Sequence, residues 1–160
     1  MTALGTIRAE AKACRAAFAD SQVGDAVWCL HHDTLMEWLT EPAKKRIAYI
    51  LSDKPKPERA RRLREFRLVK GPLPKPFVRA GAELSRAWVE YGRAWAAYDR
   101  TGVEYDLTGA AYVRARAAYD RARAAYDRTG VEALPALEAQ HRAEYPDSTW
   151  NGRSIFGDAA

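Results

Sequence analysis

The chain is 160 residues long, 48% apolar and 29% charged, with a formal net charge of +5. That length allows one domain or two small ones, and five Trp, eight Tyr and four Phe are ample for a packed core, which excludes global disorder. No apolar run approaches the roughly 20 residues that cross a bilayer, and MTALGTIRAEAKACRAAFAD has no apolar h-region, so a cytoplasmic protein without a membrane partner is expected.

The charge is unevenly placed. Residues 1–43 carry three basic and six acidic groups, 44–80 thirteen basic and three acidic, and 81–160 ten basic and twelve acidic. The whole excess of positive charge therefore lies in the middle of the chain, an electrostatic feature that a net figure hides. Two cysteines, Cys14 and Cys29, make no disulfide framework, although a single bridge remains open if the fold brings them together.

Residues 5–19 place Ile7, Ala11, Cys14, Ala17 and Phe18 at helical spacing and predict a first helix. Asp20-Ser21 and Gly24-Asp25 punctuate, with Asp25 suited to an N-cap. Residues 26–39 are apolar on more than one side and predict a second helix, central to the core. Thr40-Glu41-Pro42 starts a third helix over 42–51. Lys54-Pro55-Lys56-Pro57 is a short extended linker into a fourth helix over 58–67, where Ala60, Leu63 and Phe66 form the apolar face and arginines surround it. Gly71-Pro72-Leu73-Pro74-Lys75-Pro76 cannot continue a helix and predicts a boundary.

Beyond it the chain is dominated by tyrosine. Tyr91, Tyr98, Tyr105, Tyr112, Tyr119 and Tyr126 fall one heptad apart, and AWAAYDRTGVE at 94–104 returns as ARAAYDRTGVE at 122–132. At about 100° of turn per residue, tyrosine, the Ala or Thr three places on and the residue four places on share one stripe. Asp one place on and Arg two places on lie opposite. The pattern predicts a helix seam of large against small residues, with tyrosine hydroxyls at its wet edge and slow drift favouring a supercoiled partner. A stacking platform for bases is the weaker alternative. Trp88 and Trp95 occupy the position four places on, where later repeats have Gly102, Gly109, Arg116 and Arg123, so the first half of the repeat is expected to be the more buried. Helix is predicted over 78–99, a turn or kink over 100–109, and helix again to 128. Thr129-Gly130 reads as a stop, and Pro135 as the start of a last helix through 144. Trp150, Ile155 and Phe156 in the tail are expected to fold back onto a core.

The tyrosine heptads followed by AEYPDSTWNGRSIFG resemble a loose group of small helical proteins of phages and mobile elements with no assigned activity. That group carries AAYDRA-type repeats and a C-terminal pattern CPxCPWxGxxIF. Tyr145 and Ser148 stand where its cysteine pair would be, so the resemblance implies no metal or redox role here, and it implies no activity.

Chemistry is sparse. No GxGxxG, P-loop, GxSxG or HExxH occurs. Cys29, His31, His32, Asp33 and Glu37 cluster, with Cys14 and His141 elsewhere, but a structural zinc needs four ligands in spaced pairs, and Cys29 with His32 or Asp33 is one half-site. The histidines read as hydrogen-bonded residues of a partly buried helix, and no metal or cofactor is expected.

The resulting expectation is an all-α protein: an N-terminal helical cluster over 1–70 with a basic segment at 44–70, a proline-rich linker at 71–76, and tyrosine-heptad helices with the tail over 77–160, as a hairpin or a long coiled-coil-like helix. The leading function is a non-enzymatic binding protein whose Lys44, Lys45, Arg59, Arg62, Arg64 and Arg67 engage phosphates of nucleic acid or an acidic protein surface. The alternative is an interaction or assembly module that pairs through the tyrosine seam, as a homo-oligomer or as a phage-encoded inhibitor of a host enzyme. A metal-dependent enzyme using His31 or His32 is the distant third.

Overall fold

The computed structural model describes residues 3–100 and 105–157. The chain is mostly all-α, with five helices and a three-stranded sheet among the described residues. It divides into two compact units, Met1–Pro72 together with Leu137–Ala160, and Leu73–Ala136. The segment from residue 137 onward thus groups with the N-terminal cluster and not, as its position in the sequence suggests, with the tyrosine heptads.

In the first unit, α1 (Ala3–Ala17) packs on α2 (Ala43–Asp53) and α3 (Lys56–Glu65). The helices form where apolar residues recur at helical spacing: Ala11, Cys14 and Phe18 along and just beyond α1, and Ala43, Ile47 and Ile50 on α2. These side chains, with Val27, Leu39, Leu63 and Phe66, make one core in which the Phe18 and Phe66 rings stack at 4.2 Å.

Residues 26–39 are not a helix. They form β1 (Ala26–Trp28) and β2 (Met36–Trp38), and β3 (Arg67–Leu68) completes a sheet of order β2-β1-β3, antiparallel throughout. β3 also takes Arg67 out of the helix predicted over 58–67. Ala26 faces Trp38, Val27 faces Glu37 and Trp28 faces Met36. A central strand buried on both faces is apolar on both, as Val27 and Trp28 are, and such a run is hard to tell by composition from a buried helix. Asp25 is no helix cap; its carboxylate accepts from the Gln22 N–H at 2.7 Å and closes the turn before β1.

The C-terminal segment is tied to this unit by polar groups. Glu65, fully buried, accepts hydrogen bonds from the Ser148 hydroxyl at 2.6 Å and from the Thr149 N–H and hydroxyl at 3.1 Å each. A buried carboxylate is tolerable only when so satisfied; stripping those donors would leave a charge whose desolvation costs several kcal/mol, on the order of 3–5. Ile155 is buried and its N–H bonds the His32 carbonyl at 2.9 Å, while Phe156 lies under the Arg62 guanidinium.

The second unit consists of α4 (Lys75–Arg100) and α5 (Tyr105–Glu144) as far as Ala136. Pro76 sits in the first turn of α4, where its missing N–H is harmless. Contacts run in reverse order along the two helices, Phe77 with Tyr126, Trp88 with Tyr119 and Trp95 with Tyr112, which makes them an antiparallel hairpin. The Thr101-Gly102 pair lies outside the described residues, but Thr108-Gly109 is already within α5. Thr129-Gly130 is no stop: α5 continues through it and through Pro135. Thr129 donates its hydroxyl back to the Ala125 carbonyl at 2.7 Å, and Gly130 lies against Phe77, so local bonding and packing carry the helix past a weak helix former. Pro135 removes one hydrogen bond, to the Val131 carbonyl, on an exposed side of the helix where water can replace it.

Candidate functional site

The six cations expected to bind phosphate are mostly engaged within the chain. Arg62 is buried and paired with Glu58 at 2.8 Å, so it is not available to a ligand. Arg64 pairs with Glu10 at 2.8 Å. Arg67 forms a two-pronged pair with Asp147 at 3.1 and 2.9 Å, and its guanidinium lies 4.5 Å above the Tyr145 ring. Arg59 donates to the Lys54 and Ser52 carbonyls and so caps the C-terminus of α2. Lys45 faces Glu41 at 3.6 Å on an exposed surface, a contact worth little, and Lys44 is exposed. Within the basic segment, Arg64 and Arg67 are thus counter-charges of residues far away in sequence, and Arg62 of Glu58 one turn before it.

The histidine and cysteine cluster dissolves with the helix that would have aligned it. His31 bonds Glu37 at 2.7 Å, and His32 leans on Phe156 with ring centres 5.8 Å apart. Cys14 and Cys29 are buried free thiols, and burial pushes each up to about 12, so neither is a thiolate at neutral pH. Among the described residues no three metal-ligating side chains converge. A cleft of about 410 Å³ lies between the last turns of α5 and the 150–152 turn, lined by Glu138, His141, Arg142, Trp150, Asn151 and Gly152. His141 is 3% exposed, burial lowers its pKa, and its ring stands edge-on to Trp28. Ser148 also lines the cleft, but its hydroxyl is committed to the buried Glu65 carboxylate at 2.6 Å, and the Nε2 of His141 and the Nε1 of Trp150 are covered by protein.

The tyrosine hairpin is where side chains converge without being covered. Tyr91, Tyr98, Tyr112, Tyr119 and Tyr126 are each half-buried; the Tyr105 side chain lies outside the described residues. Tyr91 stacks on Tyr119 at 5.7 Å and meets Tyr112 at 5.6 Å, with the two hydroxyls 3.3 Å apart, and Tyr98 stacks on Tyr112 at 5.5 Å. The seam is therefore ring against ring across the two helices. Leu84, Ala87 and Ala94 complete the half-buried stripe of α4.

Trp88 and Trp95 are not the buried end of that stripe. They are 57% and 48% exposed, the reverse of the expectation that the tryptophan half of the repeat is deeper. The position four after a tyrosine flanks the seam instead of filling it, because the tyrosine rings already occupy the space between the helices. Each indole leans across onto the opposite helix, Trp88 onto Tyr119 at 5.3 Å and Trp95 onto Tyr112 at 5.5 Å. Arg123 donates to the Tyr119 hydroxyl at 3.4 Å, and the charge of Arg116 reaches Tyr91. One side of the hairpin thus presents two supported, half-open tryptophans beside two arginines. Sequence periodicity located these residues, and only the pairing of the helices decided which of them stay in water.

Comparison of the chain with protein-family models, with curated proteins and with solved structures gives no match.

Proposed function

We propose that the protein is a non-enzymatic interaction module that docks a protein helix on the tryptophan side of its α4–α5 hairpin. The observation that carries this reading is the exposure of Trp88 and Trp95 while both are held on a tyrosine scaffold. Trp, Tyr and Arg are the residue types that dominate binding energy at protein interfaces, and rings already stacked lose little freedom on binding. The surface charge fits as well: residues 73–136 carry ten basic and eight acidic groups, interleaved, in place of a cationic face.

Nucleic acid is the second reading. It now rests on the arginines beside open indoles, a pairing that single strands also use, and on Lys44 and Lys45, not on the engaged arginines of 59–67.

Acrylamide quenching of tryptophan fluorescence tests the docking reading, with Trp88→Phe and Trp95→Phe together isolating the two indoles. The expected result is that the double variant removes most of the quenchable signal. If both indoles are shielded in the free monomer, the face is closed and the reading falls.

A further inference from the structure

We infer that the cleft at the end of α5 binds a free α-amino acid as its zwitterion, with Arg142 taking the carboxylate and Glu138 the ammonium group. The cleft lies wholly within residues 137–160, in the first unit, so it is separate from the hairpin face and neither reading depends on the other.

The end of α5 builds one wall. Glu138, His141, Arg142 and Tyr145 follow at i, i+3, i+4 and i+7, the spacing that places side chains on one face. The turn at 150–152 builds the other. Gly152, at φ +93°, brings its backbone so near that an added methyl would stand 3.5 Å from the Glu138 Oε1. The volume of about 410 Å³ is at the small end of the range of about 300–1,000 Å³ for small-molecule sites, room for one compact molecule and not for a helix.

Two observations point to a ligand and to its charges. Glu138 and Arg142 stand four apart, the spacing at which opposite charges pair on a helix, yet among the described residues neither side chain forms an ion pair or a hydrogen bond. The other charges that act on His141 are already bonded inside the chain: Glu65 to Ser148, Arg67 to Asp147 and Glu144 to Trp28. A lone anion in the cleft would face Glu138, and a lone cation would face Arg142. A molecule carrying both signs satisfies both, and an α-amino acid is a small one. The second observation is buried. His141 is 3% exposed and lines the cleft, and its Nε2 has no hydrogen-bond partner; nor has the Nε1 of Trp150. Native proteins rarely leave such groups unmatched. Both nitrogens lie behind the cleft surface, and a turn of the half-buried Trp150 indole uncovers them next to Arg142, where two ring N–H groups can donate to the ligand carboxylate.

An NMR titration of the isotope-labelled full chain, followed through its backbone amide and indole N–H signals, tests this. The probes are L-phenylalanine, whose ring can pack on Trp150, and its N-acetyl and carboxamide derivatives. The free amino acid is expected to bind at millimolar concentration or below and to move the Trp150 indole signal, which Trp150→Phe identifies. Each derivative lacks one charge and should bind roughly fivefold weaker or more. Arg142→Gln should weaken the amino acid by a similar factor without weakening the carboxamide; Glu138→Gln should weaken it without weakening the N-acetyl derivative. Neither side chain is committed inside the chain, so both variants should keep the fold, which a thermal melt checks. No shift at millimolar amino acid, binding that both variants leave intact, or a derivative held as tightly as its parent overturns the inference.

Discussion

Glu144 gathers more hydrogen bonds than any apolar neighbour would suggest from its place near the end of α5. Its carboxylate accepts from the Trp28 indole at 2.9 Å, the Gln140 amide at 2.8 Å and the Lys70 and Gly71 N–H groups at 3.0 and 2.7 Å. Burial works to raise its carboxyl, but the bonds from Gln140, Lys70, Trp28 and Gly71 together outweigh it and hold the group below its ordinary value of 4.5. A carboxyl lowered by folding contributes stability that is complete above its unfolded pKa and is lost as pH falls through the folded one. His141 acts in the same direction at higher pH, since burial keeps its ring neutral and the unfolded chain takes the proton first, below about 6.5. Thermal melts of the wild type should therefore fall steadily from pH 7 toward pH 3. Glu144→Gln should be less stable at pH 7 and lose less below pH 5; equal slopes in the two proteins would refute this account. Neither role was legible beforehand, because a glutamate in a helix announces nothing about a tryptophan indole 116 positions away.

At the level of elements, two misreadings have one cause. Residues 26–39 looked helical because apolar residues face every direction, and they are strands because β3 and β2 flank β1 on both edges. Thr129-Gly130 looked like a terminus because glycine is a poor helix former, and it is interior because Phe77 packs beside it. In each case tertiary neighbours overrode a local preference worth about 1 kcal/mol. The glycines of the hairpin then become places to gain stability. A methyl added at Gly92 meets nothing within 4 Å, and one at Gly130 meets the Phe77 ring at 3.6 Å, an ordinary contact. Gly92→Ala and Gly130→Ala should each raise stability by about 0.5–1 kcal/mol in a denaturant titration. Destabilisation at Gly130 would mean that the helix does not run through it.

Across the whole molecule, burial is unequal. The first unit holds Trp28, Val27, Ile47, Ile50, Leu63 and Phe66 at 2% exposure or less, whereas Tyr91, Tyr98, Tyr112, Tyr119 and Tyr126 of the second are only half-covered. Amide hydrogen exchange on the monomer should accordingly be slowest in β1, α2 and α3 and clearly faster over 85–99 and 108–128; uniform protection would show that the hairpin is stabilised by more than its tyrosine seam. The basic segment behaves in the same non-local way: Arg64 finds Glu10 across 54 positions and Arg67 finds Asp147 across 80. By itself the sequence determined the helical class, the break near residue 72 and the tyrosine seam, because periodicity and proline act within a few residues of where they are written. Only the tertiary structure decided that the C-terminal segment returns to the first unit, that Arg64 and Arg67 are paired with acids far along the chain, and that Trp88 and Trp95 remain in water, because each depends on which distant side chains the folded chain brings together.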